Sequence, residues 1–511
     1  MKINGGEIIV DYLVKERVPY VFTLCGHGNV GLLNALYDRK DEIKTISVRH
    51  EQAAGHMADA YFRVKHRPVA TLTSCGPGSA NLPIALASAM MDSSAFLAIT
   101  GNVPTSQFNR GPFQETGRHF QGDFPSVVRS YVKKSFQPTR VEMVPLAIRQ
   151  AYKTMLTGRT GPVNLDVPFN VFLEEADLEV PDPKDWREGI ASRVAGDPEA
   201  VEKALGLLLS AERPLILAGH GASLSEAGPE VLALAEKLGI PVANTPNGAG
   251  IVDMRGEFSL GTVGRNGTYQ AQQACRNCDV VLALGVKFCD RVSSAWIEGY
   301  TFNIPPTKLI HVDIDPDELG RNYPPHIGIW GDVKTVLKQF LAGVDGEIKY
   351  SSNTAPWWEE IRKWKQDWIE TVQPRLNLNS SPIRPERVIG GMRKVLTDDA
   401  IIVSDVGVHH NWLFQLWPTY YPHTFLQSWG FASMGFGVCG VLGAKLAAPE
   451  RKCVSVCGDG GFMMTPHILC TAVEYNIPAV WVVWNNYGYC GIRDIQLYSF
   501  NGRELASSFM K

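Results

Sequence analysis

The strongest constraint on this chain is a pair of short motifs near its C-terminus, Gly458-Asp459-Gly460-Gly461 and Asn485-Asn486-Tyr487-Gly488. The interval between them fits one helix and one strand, so both motifs are predicted at the same edge of a parallel sheet. There the Asp459 carboxylate, the Asn486 amide oxygen and the Gly488 carbonyl can share one Mg²⁺. This ion takes few protein ligands and fills its octahedron with water and phosphate oxygens.

The glycines beside Asp459 suit a phosphate group. Gly458, Gly460 and Gly461 allow backbone N–H groups to approach a diphosphate at the start of the following helix. Strand-like segments lie before the first motif, at 453–457, and between the two motifs, at 479–484. Together these features predict a diphosphate-and-metal site. The alternative is that both motifs are ordinary turns between strands and helices.

Length and composition indicate an ordinary globular protein. With 511 residues the chain is too long for one core, and it is 45% hydrophobic with a net charge of −3. That charge balance argues against a nucleic-acid partner, and no apolar run is long enough for a membrane span. The N-terminus lacks the apolar core of a signal peptide, and the ten cysteines have no paired spacing apart from one CxxC at Cys275 and Cys278, which no second pair accompanies. We therefore expect a cytoplasmic protein with neither nucleic-acid nor membrane partners.

The segments of the chain alternate between strand-like and helix-like patterns, which predicts an α/β fold of three doubly wound parallel-sheet domains. We place these domains at residues 1–175, 190–345 and 376–511, with a polar, Pro-rich linker at 172–200. In the first domain, strands are expected at 20–24, 45–48, 68–73 and 95–100, with one helix at 80–91. Few residues follow Asn486, so the last domain is expected to lack a C-terminal strand and helix or to use that segment as a lid.

The motifs also carry a family resemblance that extends over nearly the whole chain. The chain resembles the acetolactate synthase-like branch of the thiamine diphosphate (thiamine pyrophosphate) enzymes, also called the acetohydroxyacid synthase superfamily. The resemblance implies a pyrimidine-binding N-terminal domain, a Rossmann-like middle domain and a C-terminal diphosphate-binding domain. Besides the metal motif, it rests on 49–52, 74–82, 287–292, 311–316 and Met434-Gly435-Phe436-Gly437.

The resemblance implies roles for several residues around the cofactor. Glu51 would hydrogen-bond to the pyrimidine ring in a dry pocket and drive the tautomer that removes the proton from the reactive carbon. Met434 would wedge between the two rings, and the carbonyl of Ala432 would accept from the pyrimidine amino group. His409 would contact the diphosphate. The alternatives are a surface glutamate, a core methionine and a structural histidine.

Two further residues of the N-terminal segment, Gly78 and Asn81, are assigned to cofactor binding by the same resemblance. Two loops are expected to face the substrate. The first is a turn after the first strand, where ligands bind in such sheets, and it contains His27 and Asn29. The turn resembles the GHGN turn of cyclic-dione and inositol-pathway hydrolases, which makes His27 a candidate proton donor or acceptor; otherwise it is an ordinary loop histidine.

Two more segments bear on the substrate. Phe113 and Gln114 match the acetolactate synthase pattern near the reacting carbons, where Gln114 would orient a carbonyl or hydroxyl group. Ile495 stands about where acetolactate synthases have a tryptophan that limits the second substrate, so the acceptor pocket is expected to differ. Arg493 is either a bidentate ligand for a carboxylate or phosphate or a solvated helix residue.

The middle domain resembles a flavin site at 264–268 and 287–292. In acetolactate synthases these regions hold FAD in a non-redox role. Here Arg265-Asn266 replaces the usual Met-His pair and Lys287 replaces an arginine. The sequence therefore leaves three alternatives for the middle domain, which are bound FAD, bound ADP and an empty site.

The implied reaction makes or breaks a carbon–carbon bond next to a carbonyl, by 2-oxo acid decarboxylation, carboligation or both. The substrates would be 2-oxo acids, aldehydes or diketones, and the active sites would lie between the subunits of a homodimer or homotetramer. One alternative is a C–C hydrolase of a cyclic 1,2-dione or related diketone. Another is a non-catalytic homologue that only binds the cofactor, which a functional Glu51 would exclude.

Overall fold

The computed structural model describes residues 2–114, 123–190 (the side chains of 189 and 190 excepted), 193–344 and 354–509. It contains three parallel sheets flanked by helices, as predicted. They form two compact units instead of three. The first comprises Met1–Ser192, Ile402–Gly407 and Ser428–Lys511, and the second Arg193–Ile401 and Val408–Gln427. The first sheet thus shares a unit with residues 402–404, 453–458 and 480–484 of the third sheet, and the domain boundaries proposed from the sequence stay predictions.

The first sheet has six parallel strands in the order β3-β2-β4-β5-β7-β6, and a separate antiparallel pair joins β1 to β8. The strands of the sheet and of the separate pair are β1 (Lys2–Asn4), β2 (Tyr20–Thr23), β3 (Lys44–Ser47), β4 (Ala70–Thr73), β5 (Leu97–Asn102), β6 (Ser135–Phe136), β7 (Val163–Pro168) and β8 (Glu175–Asp177). The helices are α1 (Gly5–Lys15), α2 (Val30–Asp38), α3 (Glu51–Lys65), α4 (Pro77–Ala80), α5 (Pro83–Met91), α6 (Phe124–Val128), α7 (Val144–Leu156), α8 (Phe169–Leu173) and α9 (Lys184–Ile190).

Two features of this region differ from the prediction. The segment 172–200, expected to be a linker, contains β8, which pairs with β1 at the N-terminus, and α9. The helix expected at 80–91 begins later, at Pro83, as α5, and a separate short helix, α4, ends at Ala80. Proline suits the first position of a helix because its missing N–H would have no partner there. The loops after β2, β3 and β4 all leave the carboxyl edge of the parallel sheet, which is where ligands bind in such folds.

The second sheet also has six parallel strands, in the order β11-β10-β9-β12-β13-β14. They are β9 (Pro214–Ala218), β10 (Val242–Asn244), β11 (Ser259–Thr262), β12 (Val280–Leu284), β13 (Lys308–Asp313) and β14 (Ile327–Trp330). The helices are α10 (Pro198–Leu209), α11 (His220–Leu224), α12 (Gly228–Leu238), α13 (Tyr269–Asn277), α14 (Val333–Gly343) and α15 (Ala355–Val372). Two apolar clusters share the buried side chains of these strands between them, so the sheet is covered on both faces.

The third sheet contains the predicted metal motif. Its strands are β15 (Ile401–Ser404), β16 (Phe425–Gln427), β17 (Cys453–Gly458) and β18 (Val480–Trp484). The helices of this region are α16 (Pro385–Val395), α17 (Val408–Leu416), α18 (Phe436–Ala447), α19 (Asp459–Met464), α20 (Ile468–Glu474) and α21 (Cys490–Ser499). β17 and β18 pair in parallel, with Gly458 opposite Trp484. The two motifs therefore leave neighbouring strands at the same edge, as the sequence predicted.

Helices α3 and α18 pack closely within the first unit. A Cβ on Gly443 of α18 would lie 1.9 Å from the carbonyl oxygen of Met57, so only glycine allows this approach. None of the described helices combines the length and the apolar character needed to cross a bilayer.

Candidate functional site

The two C-terminal motifs form a cradle of oxygen atoms. The side-chain oxygen of Asn486 lies 3.0 Å from the carbonyl oxygen of Gly488 and 3.3 Å from a carboxylate oxygen of Asp459. The other carboxylate oxygen of Asp459 accepts from the backbone N–H of Gly488 at 3.2 Å. Three acceptor oxygens this close repel one another unless the Asn486 amide is rotated or a cation lies among them.

The donor set of this cradle fits Mg²⁺. One carboxylate, one amide oxygen and one backbone carbonyl are hard oxygen ligands, and they leave room for water and phosphate oxygens. The described part of the chain contains no group of three His, Cys, Asp or Glu side chains that could hold a metal.

The glycines after Asp459 are packed against the protein. A Cβ on Gly461 would lie 2.2 Å from a carboxylate oxygen of Asp405 and 3.8 Å from the methyl group of Met434. A Cβ on Gly460 would lie 2.5 Å from the ring of Tyr489. The structure thus brings the predicted wedge, Met434, close to the first turn of α19.

Asp405 is a site residue that the motif analysis missed. It directly follows β15 and is fully buried. Its carboxylate accepts the backbone N–H groups of Gly435 at 2.8 Å and Gly437 at 3.1 Å. Burial raises the pKa of this carboxyl group to about 7, against the lowering effect of the backbone hydrogen bonds. Its position at the carboxyl end of a strand was the available signal.

The segment before α18 has an unusual backbone. Ala432 is exposed and has a φ of 56°, in the left-handed region that residues with a Cβ rarely adopt. Met434 is half-buried. The Asp405 carboxylate binds the backbone N–H groups of Gly435 and Gly437, directly after Met434. These hydrogen bonds restrict the backbone that carries Met434.

His409 lies in α17, within the second compact unit, and is buried there. Its predicted contact with the diphosphate stays a prediction. Gly458, the last residue of β17, is the N-cap of α19 and has extended backbone angles.

A second group of predicted residues gathers around Glu51, the first residue of α3. Glu51 is 5% exposed. Its carboxylate accepts a hydrogen bond from the Asn81 side chain at 3.0 Å, and a Cβ on Gly78 would lie 3.3 Å from its other oxygen. The helix starts here because the His50 side chain accepts the N–H of Gln52. Glu51, Gly78 and Asn81 thus form one buried group.

The turn after β2 presents His27 to solvent. Its Nε2 atom lies 3.5 Å from the Cys75 sulfur, and its ring centroid is 5.5 Å from that of Phe113. Cys75 was not predicted as a partner; its thiol is buried, and burial raises its pKa. Asn29 is fully buried, accepts the N–H of Gly26 and donates to the carbonyl of Leu24, so its amide holds the turn.

The second substrate loop meets the same turn. Phe113 is 77% exposed, and Gln114 has a φ of 57°. The Gln114 carbonyl packs so tightly against Gly76 that a Cβ there would lie 2.5 Å from it. His27, Phe113 and Gln114 therefore surround residues 74–78, the loop whose Gly78 borders Glu51.

The two remaining substrate candidates lie on α21. Arg493 is half-buried, and its guanidinium donates to the Cys490 sulfur at 2.8 Å. Ile495 is exposed. Both follow the metal cradle closely in the chain, and neither has a described contact with the His27 turn.

In the second unit, the proposed nucleotide loops meet at the carboxyl ends of β11 and β12. The backbone N–H of Arg265 donates to the carbonyl of Arg291 at 3.0 Å, and its guanidinium pairs with Asp290 at 3.3 Å. Gly264 has a φ of 123°, and a Cβ there would lie 2.5 Å from the Arg291 carbonyl. Lys287 adds a third cation to these loops.

Three family models match the chain. The N-terminal TPP binding domain of thiamine pyrophosphate enzymes matches residues 3–121, the central domain 201–340 and the C-terminal TPP binding domain 405–510. These matches include the metal cradle and the buried glutamate group.

Curated relatives agree with these matches. The chain is 36% identical to a probable acetolactate synthase large subunit of Methanocaldococcus jannaschii, over 95% of this chain and 80% of the relative. It is 33% identical to the acetolactate synthase large subunit of Haemophilus influenzae, over 98% and 85%. It is also 30% identical to the acetolactate synthase isozyme 3 large subunit of Escherichia coli, over 100% and 86%.

Proposed function

This chain belongs to the acetolactate synthase-like thiamine pyrophosphate enzymes, and we propose that it makes or breaks carbon–carbon bonds next to a carbonyl group. The leading version is decarboxylation of a 2-oxo acid followed by carboligation to a second 2-oxo acid or an aldehyde. The bound cofactor supplies an electron sink for a carbanion. The protein must bind the cofactor, hold it in a bent conformation and transfer protons to and from it.

The observation that carries this proposal is the burial of Glu51, whose carboxylate accepts one side-chain hydrogen bond from the described residues, that of Asn81. A buried carboxyl group is unfavourable unless it is well paired or has a function. Its second oxygen lies beside Gly78, which has no side chain to block a ligand. We propose that this oxygen hydrogen-bonds to the pyrimidine ring, as a catalytic homologue requires and a purely cofactor-binding homologue does not.

We propose that Asp459, Asn486 and Gly488 hold Mg²⁺, and that the metal and the first turn of α19 hold the cofactor's diphosphate. The convergence of three oxygens in this cradle supports the metal assignment. Met434, whose methyl group approaches Gly461, is the proposed wedge. The carbonyl of Ala432 is the proposed acceptor for the pyrimidine amino group.

A second candidate function is hydrolysis of a carbon–carbon bond in a cyclic 1,2-dione or related diketone. It is supported by the exposed position of His27 beside Phe113 and next to Cys75, in the loop 74–78 that borders the glutamate group. A solvent-accessible imidazole can donate or accept a proton at a developing alkoxide. Asn29, Gln114, Arg493 and Ile495 stay predicted substrate residues.

We further propose that the chain forms a homodimer or homotetramer, with the glutamate group of one copy facing the metal cradle of another. Around the cradle, α21 and its flanks expose large apolar side chains, which supports a protein partner on this face. The exposed side chains are those of Tyr487, Ile492, Ile495, Tyr498 and Phe500. All ten cysteines are free thiols, which supports a cytoplasmic location.

The middle domain is proposed to bind a nucleotide, either FAD or ADP. Arg265, Lys287 and Arg291 in these loops can face a pyrophosphate, and Asp290 pairs with both arginines. The visible absorption spectrum of the purified protein separates the two ligands, because only a flavin absorbs in that range. A colourless protein that releases no nucleotide on denaturation would contradict both.

The function is tested with pyruvate, thiamine pyrophosphate and Mg²⁺. The wild type should form acetolactate, and Glu51→Gln should lower kcat by roughly 100-fold or more while still binding the cofactor. Glu42→Gln, at an exposed glutamate, is the matched control. A parallel incubation with 1,2-cyclohexanedione tests the hydrolase, which would yield an open-chain acid. Unchanged turnover in Glu51→Gln would remove this residue from the mechanism.

A further inference from the structure

A buried cation lies between two buried carboxylates in the first unit. Arg63, in the last turn of α3, pairs with Asp59 at 2.6 and 3.1 Å and with Asp92 at 3.0 Å. All three side chains are at most 5% exposed. Charges buried this deeply are tolerated only when they are paired and hydrogen-bonded, and removing one partner leaves another uncompensated. Burying this cluster therefore costs free energy of desolvation, which indicates that it has a specific role.

Asp92 has a second set of partners far away in the sequence. Its carboxylate accepts the backbone N–H of Trp429 at 3.0 Å and that of Gly430 at 2.9 Å, one with each oxygen. A Cβ on Gly430 would lie 2.9 Å from the nearer oxygen, so the position needs glycine. The carboxylate thus anchors the backbone just before Ala432 and Met434.

Hydrogen bonds of hydroxyl groups also hold the segment from Ser428 to Ser433. The Ser428 hydroxyl lies 3.0 Å from that of Ser88 and accepts the N–H of Ser433 at 3.3 Å. Ser88 in turn donates to Asp59 at 3.3 Å. The guanidinium of Arg63 lies over the ring of Phe436, 4.7 Å from its centroid. The contacts of Trp429, Gly430, Ser428 and Phe436 described here therefore lead back to the cluster of Arg63, Asp59 and Asp92.

We infer that Asp92, held by Arg63, is a positioning residue for the cofactor wedge. This inference rests on the proposed function, because it assigns Met434 and Ala432 to the bent cofactor. Ala432 has a left-handed backbone, which the chain adopts only where its surroundings enforce it. Asp92 constrains the backbone at Trp429 and Gly430, before Ala432, while Asp405 binds Gly435 after it and Ser428 accepts the N–H of Ser433.

The test compares two ligands that depend on the segment differently. Thiamine pyrophosphate needs the wedge and the metal cradle, whereas inorganic pyrophosphate with Mg²⁺ needs the cradle alone. In Asp92→Asn, the dissociation constant of thiamine pyrophosphate should rise on the order of tenfold or more, because an amide cannot accept both N–H groups as a carboxylate does. That of inorganic pyrophosphate should stay within about twofold of the wild type.

Ser428→Ala is the milder second variant, since it removes one hydroxyl and leaves the buried charges paired. It should weaken thiamine pyrophosphate binding about threefold to fivefold, again without affecting inorganic pyrophosphate. This variant decides the question if Asp92→Asn does not fold. Asp38→Asn, at an exposed aspartate of α2, is the control.

Equal weakening of both ligands would mean a general structural role and overturn the inference. Wild-type affinity for thiamine pyrophosphate in the variants would overturn it as well, while leaving the proposed function intact. A wild-type protein that binds inorganic pyrophosphate but not thiamine pyrophosphate would overturn the proposed function and the inference together.

Discussion

The side-chain oxygen of Asn486 lies 3.3 Å from a carboxylate oxygen of Asp459, although the two residues follow different strands. The parallel pairing of β17 with β18 produces this contact, because it sets Gly458 opposite Trp484 and lets both loops begin at one edge. The metal cradle is thus a direct consequence of strand register.

Asp459→Asn tests the cradle. It removes the only charged oxygen ligand described there, so the Mg²⁺ concentration that gives half-maximal cofactor binding should rise about 10-fold to 100-fold. Titration calorimetry with thiamine pyrophosphate at several Mg²⁺ concentrations measures this. Asp41→Asn, an exposed aspartate outside the site, serves as the comparison. An Asp459→Asn protein with wild-type Mg²⁺ dependence would place the metal elsewhere.

Substitution by alanine should have opposite effects on stability at two helical glycines, Gly443 and Gly391. Gly443→Ala would force a Cβ to 1.9 Å from the Met57 carbonyl oxygen, and should destabilise the first unit by about 1–3 kcal/mol. Gly391→Ala, in α16, meets nothing within 4 Å and should be neutral or stabilising by up to about 1 kcal/mol. Thermal melting compares them. Equal Tm values for the two variants would contradict the packing of α3 against α18.

His311 gives a pH prediction in the second unit. It is 1% exposed, and desolvation lowers its pKa to about 4, partly offset by the Val286 carbonyl at 3.0 Å. A histidine whose folded pKa lies below its unfolded value of about 6.5 favours the fold above that pH. The stabilisation is lost as pH falls from about 6.5 towards 4.

Hydrogen–deuterium exchange at the histidine Cε1 position, read by mass spectrometry, measures this pKa directly. The His311 peptide should show its exchange midpoint near pH 4 in the native protein and near 6.5 in denaturant. A native midpoint near 6.5 would mean that the ring is solvated.

His27→Gln tests whether the exposed imidazole moves a proton. Glutamine keeps hydrogen-bonding capacity but cannot titrate, so turnover should fall about 100-fold if His27 is the acid or base of the reaction. The pH–rate profile should also lose one of its limbs. His326→Gln, an exposed histidine of the second unit, is the control. If turnover and profile are both unchanged, His27 is an ordinary loop residue.

The sequence predicted the sheets and the metal cradle because both depend on short-range patterns. The strands 401–404 and 480–484 are apolar, mostly β-branched runs, and their ends follow from composition. Asp459, Asn486 and Gly488 follow from the motif and from the rule that parallel strands share an edge.

Contacts between residues far apart in the sequence could not be predicted by the same reasoning. Asp405 binds Gly435 and Gly437, and nothing near it in the chain signals that partnership. The pairing of β8 with β1 joins the two ends of the N-terminal region. Asn29 was expected at the substrate because of its position after a strand, whereas its burial within its own turn depends on the packed fold.

If the cradle and Glu51 serve one bound cofactor, calorimetric titration of the purified protein with thiamine pyrophosphate should show saturable binding. This binding should require Mg²⁺, be weakened by Asp459→Asn and persist in Glu51→Gln. The absence of any binding heat or thermal protection, with and without Mg²⁺, would contradict it.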